Sequence, residues 1–138
     1  MLSEGSGAQT AKRVLYVDDN EINLRVVAAL MEALGVGVTC CITPHEALDL
    51  LEREAFDVIF TDIQMPGLSG FDVLREVRGR SGPNRTAPVV ALTADLSRTG
   101  TQYRDLGFDG FIPKPVALRP LAEALLQCLP VKGRASAA

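Results

Sequence analysis

The sequence predicts a doubly wound α/β domain built on a five-stranded parallel sheet with five helices. Three observations carry that prediction: short aliphatic runs recur along the chain, amphipathic stretches alternate with them, and two of the runs are apolar almost throughout. A strand with one face in water alternates polar and apolar residues, so continuous runs imply helices on both faces of the sheet.

The chain opens on the small, polar MLSEGSGAQTAK and closes on VKGRASAA. Residues 1–12 and 130–138 are therefore expected to be flexible tails around a folded unit spanning 13–129.

VLYV from Val14 is the first strand. The helix after it is expected to start near Asn20 and stop at Gly35, with Ile22, Val26, Leu30 and Leu34 as its packed face. VTCCI from Val38 is the second strand, which puts Cys40 and Cys41 on opposite faces. In the second helix Thr43 can cap, Pro44 suits the first helical position and Glu46 completes a capping box; Ala47, Leu48 and Leu51 form its apolar face. FDVIFT from Phe56 is the third strand, and a third helix begins at Ser69, with Asp72 three residues on, burying Phe71, Leu74 and Val77. PVVALT from Pro88 is the fourth strand. The stretch from Asp95 to Leu106 is expected to be the least stable helix, because Gly100 and three Thr or Ser residues interrupt a thin stripe of Leu96, Tyr103 and Leu106. FDGFI from Phe108 is a weaker fifth strand, and Leu118, Leu121, Leu125 and Leu129 mark the last helix.

Right-handed crossovers restrict the strand orders, and the flavodoxin-like order 2-1-3-4-5 is the one expected. Ligands of such sheets sit beyond the carboxyl ends of the strands, at the switch point between the first and third. Bulk properties narrow what the ligand can be. A net charge of −3 and a pI near 5.1 give no cationic field for a phosphate backbone, so nucleic-acid binding is not expected. No apolar run approaches the roughly 18 residues of a membrane span, and residues 1–12 lack the regions of a signal peptide; a cytoplasmic location is expected. Cys40, Cys41 and Cys128 are too few and wrongly spaced for a zinc site or disulfide framework and read as packed thiols.

Asp18-Asp19 end the first strand, Asp62 the third and Thr93 the fourth, while Lys114-Pro115 follows the fifth. The expected topology brings these groups to one rim. Three clustered carboxylates raise at least one pKa unless a cation neutralises them. Mg²⁺ suits the site, since it accepts one or two carboxylates and keeps waters and a phosphate oxygen. Lys114 then offers positive charge and Thr93 a hydroxyl to the equatorial oxygens of a phosphoryl group in transfer. Asp62, central in this topology and followed by the turn IQMPGLSG, is the expected nucleophile.

With VDDN, TDIQMPGLSG, ALTA and FIPKP in that order, the sequence resembles the receiver domains of response regulators in two-component signalling, over almost all of the folded unit. The resemblance implies that Asp19, Asp62 and the backbone carbonyl of Gln64 touch Mg²⁺ directly, with Asp18 acting through water. It implies that Asp62 takes a phosphoryl group from a histidine kinase or histidine phosphotransfer protein, that Lys114 pairs with that group, and that Lys114-Pro115 is cis. Thr93 is then expected to shift toward the phosphoryl oxygen, with Phe111 following as an aromatic switch, although a core ring needs no such role. Gln64 and Asp95 stand where the family tunes acyl-phosphate hydrolysis. Such a chain is not an enzyme beyond catalysing its own phosphorylation and dephosphorylation.

VDDNEIN, DIQMP and ALTA look most like receivers attached to hybrid kinases or used in phosphorelays, and free single-domain regulators share these features. No effector domain is expected beyond Leu129, so the expected output is phosphotransfer or contact with a downstream protein through the fourth helix, fifth strand and fifth helix. The alternative is a receiver-fold binding module that signals without phosphorylation; the presence of Asp62, Thr93 and Lys114 together argues against it. A phosphatase with an aspartate nucleophile places D-x-D after its first strand, where this chain has Asp18-Asp19-Asn20. A nucleotide site there needs a glycine-rich or hydroxylic loop, and VDDNEIN is acidic. His45, Asp57, Asp72, Asp105 and Asp109 read as solvated, capping or loop residues.

Overall fold

The computed structural model describes residues 13–79, 82–95 and 97–129. The two expected tails, and Leu96, lie outside the described residues. The elements run β1 (Arg13–Val17), α1 (Glu21–Ala33), β2 (Gly37–Cys41), α2 (Pro44–Arg53), β3 (Val58–Asp62), α3 (Gly70–Gly79), β4 (Val89–Thr93), α4 (Gly100–Asp105), β5 (Gly110–Pro113) and α5 (Leu118–Cys128). Every strand pair is parallel and the order is β2-β1-β3-β4-β5, the order expected from the sequence.

Two apolar layers sandwich the sheet. Leu15, Val17, Ile59, Val89 and Ala91 face one side, where α2, α3 and α4 cover them with Leu51, Val73, Val77 and Tyr103. Val14, Tyr16, Phe60, Val90 and Leu92 face the other, covered by Val27 and Met31 of α1 and Leu121 and Leu125 of α5. All residues of β3 and β4 are buried, which explains why their sequences do not alternate. Cys41 and Cys40 do lie on opposite faces; burial pushes the Cys41 thiol up to about 12, so it stays protonated.

The helices show where side-chain spacing misleads. Ile22 is 71 % exposed and Val26 48 %, so the packed face of α1 is Val27 and Met31, with Leu24, Leu30 and Leu34 beside them. Strict four-residue spacing overshoots a full turn by about 40° per step, and the expected stripe therefore spirals off the contact. Gly35, in the left-handed region at φ 73°, ends α1 as expected. Thr43 caps α2 by accepting from the Glu46 N–H at 3.1 Å, but the Glu46 carboxylate reaches back to the Ile42 N–H instead of the cap residue's own. Ser69 and Asp72 cap α3 reciprocally. In α3 the fully buried residue is Val73, beside Leu74 and Val77, while Phe71 is only partly buried.

The weak fourth helix begins at Gly100, five residues after Asp95, and is held by a capping box between Thr99 and Gln102. Tyr103 is buried, whereas Leu106 stays exposed; Leu118 is likewise exposed at the start of α5.

At the amino ends of the strands, side chains tie the loops down. Asn84 is buried, accepts from the Phe56 N–H at 2.7 Å and donates to the carbonyls of Leu51 and Glu54. Asp57 accepts from the Arg13 N–H at 2.8 Å. Arg78 donates to the Arg85 and Ala87 carbonyls and pairs with Asp109, which also accepts from the Val89 N–H. Among the described residues no helix is long and apolar enough to cross a membrane.

Candidate active site

The opposite rim collects the acidic residues. β1 ends at Val17, and the Asp18 N–H continues the parallel ladder by donating to the Cys41 carbonyl at 3.1 Å. Asp18 is fully buried. Its carboxylate accepts from the Asn20 N–H at 3.0 Å and from the Asn23 amide at 3.2 Å. Asn20 in turn caps α1 through the N–H groups of Ile22 and Asn23, so the helix start and the Asp18 side chain fix one another. Asp19, next along, is exposed.

β3 delivers Asp62, only 4 % exposed, in the centre of the sheet. The following loop folds back tightly, because the Gly70 N–H donates to the Ile63 carbonyl at 2.9 Å. A Cβ at Gly70 would lie 2.5 Å from the Asp62 carbonyl oxygen, so only glycine lets α3 start this close to the strand end.

Lys114 follows β5, with its peptide bond to Pro115 cis as expected. Its ammonium lies 2.9 Å from one Asp62 carboxylate oxygen and 3.5 Å from Asp18. Burial lowers the lysine's proton affinity, but its hydrogen bond and charge contact with Asp62, then the charge of Asp18, outweigh this and hold it above its ordinary value. For Asp62 burial is the largest influence and raises its pKa; the Lys114 contact opposes it, Asp18 adds to it, and a backbone hydrogen bond from Gln64 lowers it. The net direction is up, so Asp62 ionises less readily here than in water.

Asp18, Asp19 and Asp62 each present one carboxylate oxygen within 4.8 Å of the others. Three carboxylates against one ammonium leave two negative charges at the rim. This set of hard oxygen donors fits Mg²⁺, which neutralises that excess without demanding a complete protein cage.

Thr93 is buried at the end of β4, but its hydroxyl is occupied by its own turn: it accepts from the Asp95 N–H at 2.9 Å and donates to the Asp95 carbonyl at 3.3 Å. Gln64 joins the site through its backbone, and its side chain is exposed. Phe111 is half-buried on β5, stacked on Tyr103 with ring centroids 5.1 Å apart, and lies outside the charged cluster. His45 is exposed on α2, Asp72 caps α3, and Asp57 and Asp109 pin loops at the other rim. Sequence reasoning missed Asn23, which orients Asp18; the only signal was an amide residue in the first turn of a helix that follows an acidic pair.

Residues 14–126 match the family model described as response regulator receiver domain. The chain is 34% identical over 120 residues to the sensor protein GacS of Pseudomonas syringae pv. syringae, covering 85% of this chain and 13% of that protein. It is 33% identical over 111 residues to the aerobic respiration control sensor protein ArcB of Escherichia coli K12, covering 80% and 14%. The chain thus spans about an eighth to a seventh of the length of these relatives. Among solved structures it resembles the receiver domain of the sensor histidine kinase PA1611 from Pseudomonas aeruginosa PAO1, whose active-site cleft coordinates a magnesium ion. That match has a TM-score of 0.77 and 28% identity, and covers 86% of this chain and 98% of that one. The chemotaxis response regulator CheY4 of Vibrio cholerae matches with a TM-score of 0.78 and 30% identity, covering 87% and 100%.

Proposed function

The chain belongs to the response regulator receiver domain family, and from that premise we propose that it accepts a phosphoryl group on Asp62 from the phosphohistidine of a histidine kinase or histidine phosphotransfer protein. The observation that carries the reading is Lys114 bridging Asp62 and Asp18, with the Asp19 carboxylate beside them. A lysine between two carboxylates at the mouth of a sheet has little value for stability alone, since one partly buried ammonium leaves the cluster negative. It has value where an anionic phosphoryl group arrives.

In the transfer, an Asp62 carboxylate oxygen attacks phosphorus, an O–P bond forms, and the P–N bond to the donor imidazole breaks. Lys114 turns from the carboxylate to the new phosphoryl oxygens, a distance its flexible stem spans easily. The Thr93 hydroxyl leaves its turn with Asp95 to donate to the same group, and Phe111 moves after it. Asp19 and Asp62, with the Gln64 carbonyl, would hold Mg²⁺ directly and Asp18 through water. When bound, the ion supplies charge stabilisation for the transferring phosphoryl oxygens. The chain acts on its own aspartate alone, in the cytoplasm, and passes the signal by phosphotransfer or by contact with a downstream protein.

The test is ¹⁹F NMR of the protein with Mg²⁺, beryllium and excess fluoride, since beryllofluoride mimics a phosphoryl group on a carboxylate. Bound fluorine resonances that require Mg²⁺ are expected. Their absence, with no displacement of amide resonances around Asp62, would contradict the reading.

A further inference from the structure

Tyr16 stands two residues before Asp18, so both side chains leave the face of the sheet that α1 and α5 cover. Its ring is fully buried, with its centroid 5.7 Å from that of Phe60. Yet no protein group among the described residues hydrogen-bonds its hydroxyl. A buried hydroxyl left unpaired is destabilising, which makes one beside an active site a pointer to a bound partner.

Tyr16 lines a cleft of about 340 Å³ between α1 and the loop after β5, together with Asp18, Asn23, Lys114, Val27 and Pro115. A water needs only roughly 10–15 Å³ and two to four polar neighbours, and the carboxylate, amide and ammonium groups supply them. A phenol carries its proton at neutral pH, so the hydroxyl can donate.

We propose that Tyr16 is a positioning residue for the cation site: its hydroxyl holds a water in this cleft that bridges to the Asp18 carboxylate and fixes how Asp18 faces the ion. The inference rests on the function proposed above. It gives the shared lysine a consequence. Once Lys114 turns to a phosphoryl group on Asp62, Asp18 loses its ammonium partner and keeps, besides the ion's water, the Asn20 N–H, the Asn23 amide and the water held by Tyr16. The hydroxyl therefore supports Asp18 when the lysine is engaged elsewhere.

A wild-type crystal structure with Mg²⁺ offers a check that needs no variant. A water within hydrogen-bonding reach of both the Tyr16 hydroxyl and the Asp18 carboxylate is expected, and its absence would overturn the proposal. Titration of ¹⁵N-labelled wild type, Tyr16→Phe and Phe60→Leu with MgCl₂, without any phosphodonor, gives the energetic test. Tyr16→Phe keeps the ring and should bind Mg²⁺ about tenfold more weakly, as loss of an outer-shell partner does. Phe60→Leu removes the neighbouring ring but not the hydroxyl; it should melt at lower temperature and bind Mg²⁺ as wild type does. Equal affinity in wild type and Tyr16→Phe would overturn the inference and leave the phosphoacceptor reading standing. A wild type that binds no Mg²⁺ would overturn both.

Discussion

The two rims of the sheet treat polar groups in opposite ways. At the amino ends of the strands nearly every charge or amide is spent on a specific partner: Asn84 holds three backbone groups, and Arg78 joins two carbonyls to Asp109. At the carboxyl ends three carboxylates cluster where one lysine pairs with two of them, and a buried threonine is held by its own turn. The amino rim is satisfied and closed, while the carboxyl rim carries uncompensated negative charge. Satisfaction favours stability, and its absence leaves groups free to bind a cation and a phosphoryl oxygen.

The contrast predicts that substitutions at one rim cost activity and at the other stability. The largest effect is expected for Lys114→Met, which should slow phosphorylation of Asp62 by about 100-fold, equivalent to about 2.7 kcal/mol of barrier; stopped-flow with a small phosphodonor reads it. Asn84→Ala should do the reverse. It strands the Phe56 N–H and two carbonyls, costing about 2–3 kcal/mol in denaturant unfolding, while the phosphorylation rate of the folded protein stays that of wild type. A slower rate in Asn84→Ala would show that the rims are coupled. Thr99→Ala removes the cap of α4 and should cost about 1 kcal/mol, with faster amide exchange confined to α4 and its neighbouring turns.

The smallest effect is in pH dependence. Burial raises the Asp62 pKa in the folded state, so ionising Asp62 opposes folding. That cost is absent below the ordinary Asp value near 3.8 and grows as pH rises toward the raised folded value. Asp62→Asn, neutral throughout, should therefore be more stable than wild type at neutral pH. Thermal melts should show the gap closing as pH falls through the ordinary Asp range. A gap that widens on acidification would contradict the assigned direction.

How much of this was legible in the sequence differs between the rims as well. The carboxyl rim was readable because strand ends and charged residues coincide: Asp18-Asp19, Asp62, Thr93 and Lys114 each follow an aliphatic run, and parallel topology forces such ends together. The amino rim was not. Asn84 lies in a loop without periodicity, and its three partners belong to one segment, Leu51 to Phe56 at the end of α2, far back in the chain, which only folding brings near. In α1, Ile22 and Val26 are as apolar as Val27 and Met31; which pair is buried depends on how the Asn20 cap sets the rotation of the helix over the sheet. Tyr16 read as one more strand residue, because an aromatic ring in a covered strand gives no sign of an unpaired hydroxyl.

Whether Asp62 is the phosphoacceptor is decided by intact-mass measurement of wild type and Asp62→Asn after incubation with Mg²⁺ and acetyl phosphate. Wild type is expected to gain one phosphoryl group, lost when Mg²⁺ is chelated beforehand, and Asp62→Asn none. An equal gain on both proteins would place the phosphoryl group elsewhere and contradict the assignment, as would no gain on wild type together with no binding of Mg²⁺.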